Sequence, residues 1–247
     1  MIKDIFKDVL RHTHALGFIE MVKISGDETL TEIEAMDADK TVILKGKLHN
    51  PVADFINQTV GLSRMSVLDG YLKFPGFGDE NAKVSVETQS RNGEDIPVEI
   101  SFESAEGHSG SYRFMLADVI NQQLKSVKMK DIPWDVTIVP TQKNLKDLGY
   151  FNSVLGGFEP VFSPTTEDGA LYFNIGEGAG DKGKLPINNN VDGELSGNWK
   201  WEIDKALSIL RLSDSANCTV SFANAGAMQI VIDSGLGEYT YILPAKS

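Results

Sequence analysis

The chain has 247 residues, 41% of them hydrophobic, and a formal net charge of −12. This length suits one large domain or two of ordinary size, and no apolar run reaches the roughly 18 residues that a membrane span needs. A chain this acidic does not coat nucleic acid with its whole surface, but its net charge does not exclude contact through a localised basic strip. The single cysteine, Cys218, allows no internal disulfide and is typical of a reducing cytosol.

The first half of the chain predicts a helix, several strands, a short helix and three more strands. Residues 2–16 place apolar side chains on one helical face and Lys3, Lys7 and Arg11 on another, one turn apart. Strands are then predicted for residues 18–25, 29–37, 40–48 and 54–60. A second helix is predicted for residues 62–74, and strands for 83–89, 96–103 and 111–117.

Residues 118–133 interrupt this order, because they are charged, weakly periodic and end at a proline, and we interpret them as a connector. The same order of elements then returns. Residues 134–140, 160–165, 170–176, 198–203, 218–225, 228–235 and 238–245 predict strands, 142–157 and 204–212 predict helices, and a loop rich in glycine and asparagine follows residue 176. The order helix, strands, short helix, three strands therefore occurs twice, which indicates two similar domains.

The motifs that usually carry catalysis are incomplete here. Gly178–Leu185 resembles a phosphate-binding loop, but Leu185 replaces the hydroxyl that reaches magnesium, and we interpret the segment as a flexible hairpin loop. His12 and His14 lie two residues apart on a helix, so they point to different faces and cannot share a metal ion. A lone Cys218 within a strand pattern is typical of a core residue. The sequence predicts no enzyme, no metal site and no cofactor.

Three stretches of the sequence resemble the sliding clamps, the rings that tether replicative polymerases to DNA. Residues 34–48 (EAMDADKTVILKGKL) are similar to the strand, Met-Asp turn and strand of the first clamp domain. Residues 60–74 are similar to the strand that runs into the short second helix, and residues 198–245 to the closing helix and three strands. The resemblance extends to proliferating-cell nuclear antigen and to the clamps of T-even-type phages, although the usual strand before the first helix is absent.

The resemblance implies an α+β fold with two similar domains, each with two helices packed on curved antiparallel sheets. The domains are expected at residues 1–117 and 134–247, joined by the connector at 118–133. With two domains per chain, three chains are expected to close a ring through head-to-tail interfaces. Strand 111–117 is expected to lie at a domain edge and to pair with an edge strand of the next chain, since an unpaired apolar edge is a hazard.

The resemblance also implies two binding surfaces. In a clamp the helices line the hole, so their basic residues attract the phosphates of double-stranded DNA without reading its sequence. The residues expected at DNA are Lys3, Lys7, Arg11, Arg64, Lys73, Lys143, Lys146 and Lys205. A second surface is expected to bind short peptides of the DNA polymerase and the clamp loader, with Ile242 facing this groove because it alternates with its neighbours. The expected groove residues are Met36, Thr41, Ala227, Met228, Ile242, Leu243 and Pro244.

Other interpretations stay open at the level of sequence. Without the resemblance, Lys3, Lys7 and Arg11 form an ordinary solvated helix face, and Met36, Met228 and Leu243 are core residues. One alternative function is a non-enzymatic, β-rich structural component of a virion, and another is a monomeric polymerase accessory factor of the same fold. The expected location is the cytoplasm, that of the host if the protein is viral, with no membrane partner.

Overall fold

The computed structural model describes residues 2–91, 93–127, 131–176, 178–213 and 216–246. Backbone contacts divide the chain into two compact units. The first comprises Met1–Val127 with Gly235–Glu238, and the second comprises Lys128–Ser234 with Tyr239–Ser247. The change of unit after Val127 falls within the connector that the sequence predicts, whose residues 128–130 lie outside the described part.

The first unit is built from antiparallel strands and a pair of adjacent helices. Its strands form a sheet of order β8-β4-β1-β2-β3 and a second sheet of order β5-β6-β7. Its elements are α1 (Ile2–His12), β1 (Val22–Gly26), β2 (Thr31–Met36), β3 (Ile43–Leu48), β4 (Thr59–Leu62), α2 (Met65–Lys73), α3 (Pro75–Gly78), β5 (Lys83–Arg91), β6 (Glu94–Glu103), β7 (Ser109–Arg113), β8 (Met115–Leu116) and α4 (Ala117–Gln123).

Helix α1 buries one face and exposes the other, as its apolar spacing predicts. Phe6, Val9 and Leu10 are buried. The Phe6 ring meets Phe55 edge-on, with ring centroids 6.1 Å apart, and lies 6.2 Å from the ring of Phe114. Such aromatic contacts contribute about 1 kcal/mol each beyond the area that they bury. They anchor α1 on the core next to α2 and leave its polar face outward.

The second unit repeats this plan. One of its sheets contains β15 between β14 and β16, with β9 beyond β14, and the other has the order β12-β11-β10-β13. Its elements are β9 (Val136–Ile138), α5 (Gln142–Leu155), β10 (Val161–Glu167), β11 (Ala170–Ile175), β12 (Gly183–Asn188), β13 (Trp201–Glu202), α6 (Ile203–Leu210), β14 (Cys218–Ala223), β15 (Ala227–Asp233) and β16 (Gly237–Pro244).

Helix α5 begins at a capping box and packs beside α6. The backbone N–H of Asn144 donates to Thr141 Oγ1 (3.1 Å), and the N–H of Thr141 donates to Asn144 Oδ1 (2.8 Å). These bonds satisfy donors at the helix start that have no partner within the helix. Asn152 Nδ2 donates to Asp204 Oδ1 (2.7 Å), which links α5 to α6. Each unit therefore places a pair of neighbouring helices, α1 with α2 and α5 with α6, on antiparallel sheets, and the predicted α+β class is confirmed.

Several predicted elements differ in the structure. Of the strand predicted for 54–60, only residues 59 and 60 are extended in β4, because a 3-10 turn at Ala53–Phe55 buries the Phe55 ring. The strand predicted for 111–117 breaks at the buried Phe114, and its two parts join different sheets. The predicted loop after residue 176 contains β12, so the interpretation of Gly178–Leu185 as a flexible loop is wrong from Gly183 onward.

The start of the predicted connector is helical. Helix α4 covers residues 117–123, with Ile120 and Leu124 buried one turn apart. A Cβ atom on Gly61 of β4 would lie only 2.8 Å from Ile120 Cβ, so glycine is needed for this close packing. The sequence interpretation missed α4 because its apolar signal is confined to two residues of a charged segment.

Candidate nucleic-acid and partner interfaces

The predicted basic stripe of α1 lies on its outer face. Lys7 and Arg11 are exposed, one helical turn apart. Lys3 is half-buried, and its Nζ donates to the carbonyl oxygens of Phe77 and Gly78, at 3.1 Å each. These carbonyls end α3, where a cation is favourable. Lys3 therefore has a structural task, while Lys7 and Arg11 present their charges to solvent.

The other predicted DNA residues of the first unit flank α2. Arg64 precedes the helix with a φ of 51° and is exposed. Its neighbour Ser63 is fixed by Tyr112, whose hydroxyl accepts from the Ser63 N–H (3.0 Å) and donates to the Ser63 carbonyl oxygen. Burial raises the pKa of Tyr112 to about 12, so this anchor stays protonated at neutral pH. Lys73 pairs with Asp69 one turn earlier, at 2.6 Å.

In the second unit the predicted basic residues differ in exposure. Lys143 and Lys146 are exposed on α5, where Lys143 pairs with Asp147. Lys205 on α6 is half-buried and lies 3.3 Å from a carboxylate oxygen of Glu202. The exposed Lys143–Asp147 pair is worth at most about 1 kcal/mol, so it opens readily for a stronger anion such as phosphate.

The outer face of α5 also carries an apolar stripe that sequence reasoning missed. Tyr150 is 69% exposed and Val154 is 56% exposed, one turn apart. Phe158, just beyond the helix, is 89% exposed. The sequence contains a signal for this stripe, because Tyr150, Val154 and Phe158 follow Lys146 at intervals of four residues, the spacing that places side chains on one side of a helix. The α5 face is thus partly cationic and partly apolar, whereas the prediction considered only its lysines.

The predicted groove residues of the first unit surround a rigid turn between β2 and β3. Asp37 Oδ1 accepts from the backbone N–H of Thr41 and of Val42, both at 2.8 Å, and Asp37 Oδ2 accepts from Thr41 Oγ1 at 2.7 Å. Lys40 completes the turn with a φ of 57°. Met36 and Thr41 are half-buried at its two ends. The aspartate of the Met-Asp turn therefore shapes this surface.

The predicted groove residues of the second unit are mostly buried. Met228 is 1% exposed and lines an internal cavity of about 20 Å³ with Leu145 and Phe222. Ile242 is 4% exposed, so the expected exposure of its side chain is not found. Ala227 and Leu243 are also buried, and Pro244 is exposed.

The C-terminal residues are held to the second unit rather than projecting from it. Trp201 Nε1 donates to the Leu243 carbonyl oxygen at 2.8 Å, and the N–H of Ala245 donates to Gly226 O at 2.9 Å. Lys246 pairs with Glu202. Partial burial alone would raise the pKa of Glu202, but Lys246 and Lys205 outweigh it and hold this pKa below its ordinary value.

The start of the connector is tied to the first unit by a charged cluster. Lys23 Nζ donates to Ser126 Oγ at 2.6 Å and pairs with Glu34, and Ser126 Oγ donates to Glu34 Oε2 at 2.7 Å. Partial burial of Glu34 acts to raise its pKa, but Lys23 and Ser126 lower it by more, so the carboxylate stays ionised. This cluster places Ser126 beside β1 and β2.

Three further features concern metal binding, the single cysteine and membrane insertion. Among the described residues, no three His, Cys, Asp or Glu side chains are grouped so as to hold a metal ion. Cys218 is buried in β14, and this burial raises the pKa of its thiol. Within the described ranges, no helix is both long and apolar enough to cross a bilayer.

Comparison with known proteins identifies the fold. No protein-family model and no curated protein matches the sequence. Among solved structures, proliferating-cell nuclear antigen (PCNA) from Thermococcus kodakaraensis is 12% identical, with a TM-score of 0.71 over 98% of this chain and 97% of that one. A. fulgidus PCNA, described as bound to the C-terminal region of FEN-1, is 11% identical, with a TM-score of 0.71 over 99% and 96%. PCNA from Entamoeba histolytica is 12% identical, with a TM-score of 0.65 over 100% and 95%.

The chain therefore has the fold of a sliding clamp along nearly its whole length. The similarity lies in the arrangement of elements rather than in the residues, since identity is about one residue in eight. The predicted fold is confirmed, and the roles of individual residues rest on the chemistry described above.

Proposed function

We propose that three copies of this chain form a ring around duplex DNA and act as a non-enzymatic processivity factor that tethers a DNA polymerase. The observation that carries this proposal is the likeness to sliding clamps across 95–100% of each chain compared. The proposed organisation keeps the division into clamp domains at 1–117 and 134–247, with the connector between them.

The DNA side of the proposal rests on the outer faces of α1 and α5. Lys7 and Arg11 on α1, and Lys143 and Lys146 on α5, expose cations one turn or less apart. Such charges attract phosphates without reading bases, and weak contacts of this kind permit sliding. The strongly acidic remainder of the chain disfavours DNA elsewhere on the surface.

The ring side of the proposal rests on a sheet edge in each unit. In the described part of the first unit, β7 pairs only with β6. The N–H of Phe114 donates to Val98 O at 3.0 Å, and the N–H of Ser104 donates to His108 O at 2.8 Å. Because bonded and non-bonded positions alternate in an antiparallel pair, Ser111, which faces Ser101, directs its backbone groups away from β6.

The partner for this edge is proposed to be β12 of the next chain. Strand β12 pairs only with β11 among the described residues, so it is an edge strand of its sheet. An edge of the first unit joined to an edge of the second is a head-to-tail contact, and three such contacts close a ring.

The polymerase and the clamp loader are proposed to bind through short peptide motifs. The support is that A. fulgidus PCNA has been solved with the C-terminal region of FEN-1 bound. In the first unit, Met36 and Thr41 keep side-chain surface available for such contacts, and in the second unit Pro244 does. Ala227, Met228, Ile242 and Leu243 are buried within the second unit.

The decisive experiment combines mass and topology. Light scattering should give about three times the chain mass of 27.0 kDa. After loading on linear DNA, a ring should be retained when both ends carry bulky blocks and should slide off when the ends are free. A one-chain mass with clear support of a polymerase would indicate the monomeric accessory factor instead. Equal retention on blocked and free ends would contradict encirclement.

A further inference from the structure

The first unit contains an apolar cleft away from the surfaces described above. It has a volume of about 320 Å³ and lies between the first turn of α1, the segment after β3 and the turn before β16. Leu48 and Val52 form a buried floor, and Leu236 is 42% exposed at one wall. Ile2 and Ile5 of α1 also line the cleft.

Hydrogen bonds build this cleft firmly. The N–H of His49 donates to Leu236 O at 3.0 Å, and the N–H of Val52 donates to Thr31 Oγ1 at 2.9 Å. A Cβ atom on Gly237 would lie 2.7 Å from Lys47 O, so only glycine lets the turn approach β3 this closely. These contacts hold in place the backbone segments that line the cleft.

The chemistry at the rim selects the ligand. Asp4 on α1 and Asp54 in the loop are both exposed and both line the cleft. Two carboxylates at the rim of an apolar floor repel phosphate groups and attract cations, so nucleic acid is disfavoured. The volume is at the lower end of the range for ligand pockets and suits the apolar side chains of a short peptide.

We infer that this cleft docks a peptide segment of another protein in which apolar side chains alternate with lysine or arginine. The apolar side chains fill the space between Ile5 and Leu236, and the cations face Asp4 and Asp54. The site lies at the opposite end of β3 from Met36 and Thr41, and the six residues of β3 separate the two by about 17 Å. It is therefore a second partner surface, and it stands without the proposed clamp function.

The inference can be tested with synthetic peptides and the methyl-labelled full chain. The probe is acetyl-Lys-Leu-Lys-Phe-Lys-amide, compared with a polar cationic peptide (serine for Leu and Phe) and an acidic one (glutamate for lysine). The cationic apolar peptide should shift the NMR signals of the Ile2, Ile5, Leu48, Val52 and Leu236 methyl groups, and the other two should shift them at least tenfold less. Equal shifts with the polar cationic peptide would show that peptides bind through charge alone, without apolar side chains in the cleft, and would overturn the inference.

Two variants locate the binding. Leu236→Lys places a cation in the cleft, and Asp54→Lys reverses the rim charge. Each should weaken binding of the cationic apolar peptide at least tenfold, whereas Glu28→Lys, at an exposed turn of the same unit, should leave it unchanged. Unchanged binding by both cleft variants would contradict the inference. Loss of self-association in Leu236→Lys would show that a second copy of the chain occupies the cleft, and would also overturn it.

Discussion

His12 is a buried side chain whose protonation destabilises the folded state. It is almost fully buried at the end of α1, 3.9 Å from Asp8. Burial lowers its pKa to about 4, and Asp8 offsets only part of that effect. Because an unfolded histidine takes up its proton near pH 6.5, the unfolded state binds more protons between pH 6.5 and 4. The contribution of neutral His12 to the free energy of unfolding is therefore complete above pH 6.5 and is lost as the pH falls toward 4.

We expect His12→Gln to remove this part of the pH dependence. From the two pKa values, the wild type should lose on the order of 3 kcal/mol of unfolding free energy across that window. Urea unfolding at several pH values between 7.5 and 4 measures this loss, with His108→Gln as an exposed histidine variant for comparison. A variant slope equal to wild type would mean that other groups cause the acid sensitivity.

Ile242 is expected to act as a core residue. The sequence interpretation placed Ile242 facing the peptide groove, where a substitution such as Ile242→Asp would affect peptide binding rather than the fold. At 4% exposure, a carboxylate there is buried without a designed partner, and we expect a loss of roughly 3 kcal/mol or more. Thermal melting compares it with Pro244→Asp, whose side chain is exposed and whose melting temperature should change little. An unchanged melting temperature for Ile242→Asp would restore the groove interpretation.

At the scale of single elements, α1 and α5 combine structural and exposed cations. Lys3 holds the end of α3, so changing it would mix a folding effect with any effect on DNA. Lys7, Arg11, Lys143 and Lys146 avoid that difficulty because their charges lie outward. They are the residues with which the helix faces should be tested.

We expect the change of these four residues to alanine to weaken retention on end-blocked DNA and to flatten its salt dependence. Each lost phosphate contact lowers the slope of log affinity against log salt by about one. Retention measured from low to moderate salt tests this. Alanine at Lys47, Lys83, Lys125 and Lys182 removes the same charge from exposed positions elsewhere and serves as the control. If both variants behave alike, the helix faces are ordinary solvated surfaces.

At the scale of the whole molecule, the proposed contact between chains uses backbone groups rather than particular side chains. Ser111 directs its N–H away from β6, so it is available to another chain. Proline is tolerated on an edge but removes that donor. Ser111→Pro should therefore leave the sheet of a single unit folded, but it should weaken the proposed contact between chains.

We expect Ser111→Pro to shift the light-scattering mass from three chains toward one, with far-UV circular dichroism close to wild type. Ser111→Ala, which keeps the N–H, should remain a trimer. A trimeric Ser111→Pro variant would show that β7 is not the edge used for assembly.

The strongly periodic elements of this protein could be predicted from its sequence. The apolar face of α1, the helix of α5 and the strands β14 to β16 each repeat over many residues, and a local period survives in almost any tertiary context. The repeated order of these elements, together with three stretches of likeness, was sufficient to predict the clamp fold. Short signals were not sufficient, as the two buried residues of α4 and the glycine- and proline-containing β12 demonstrate.

Tertiary packing decided which side chains reach the surface. The alternation of side chains along β16 predicted that Ile242 points away from Tyr241 and Leu243. All three side chains are nevertheless buried. Alternation shows which side chains share a face of a strand, but it does not show whether the second face is also covered. The cleft beside Leu236 unites residues from the first turn of α1, the end of β3 and the chain near residue 235. No local pattern can report such a site, because its parts are distant in sequence and meet only when the sheets are assembled.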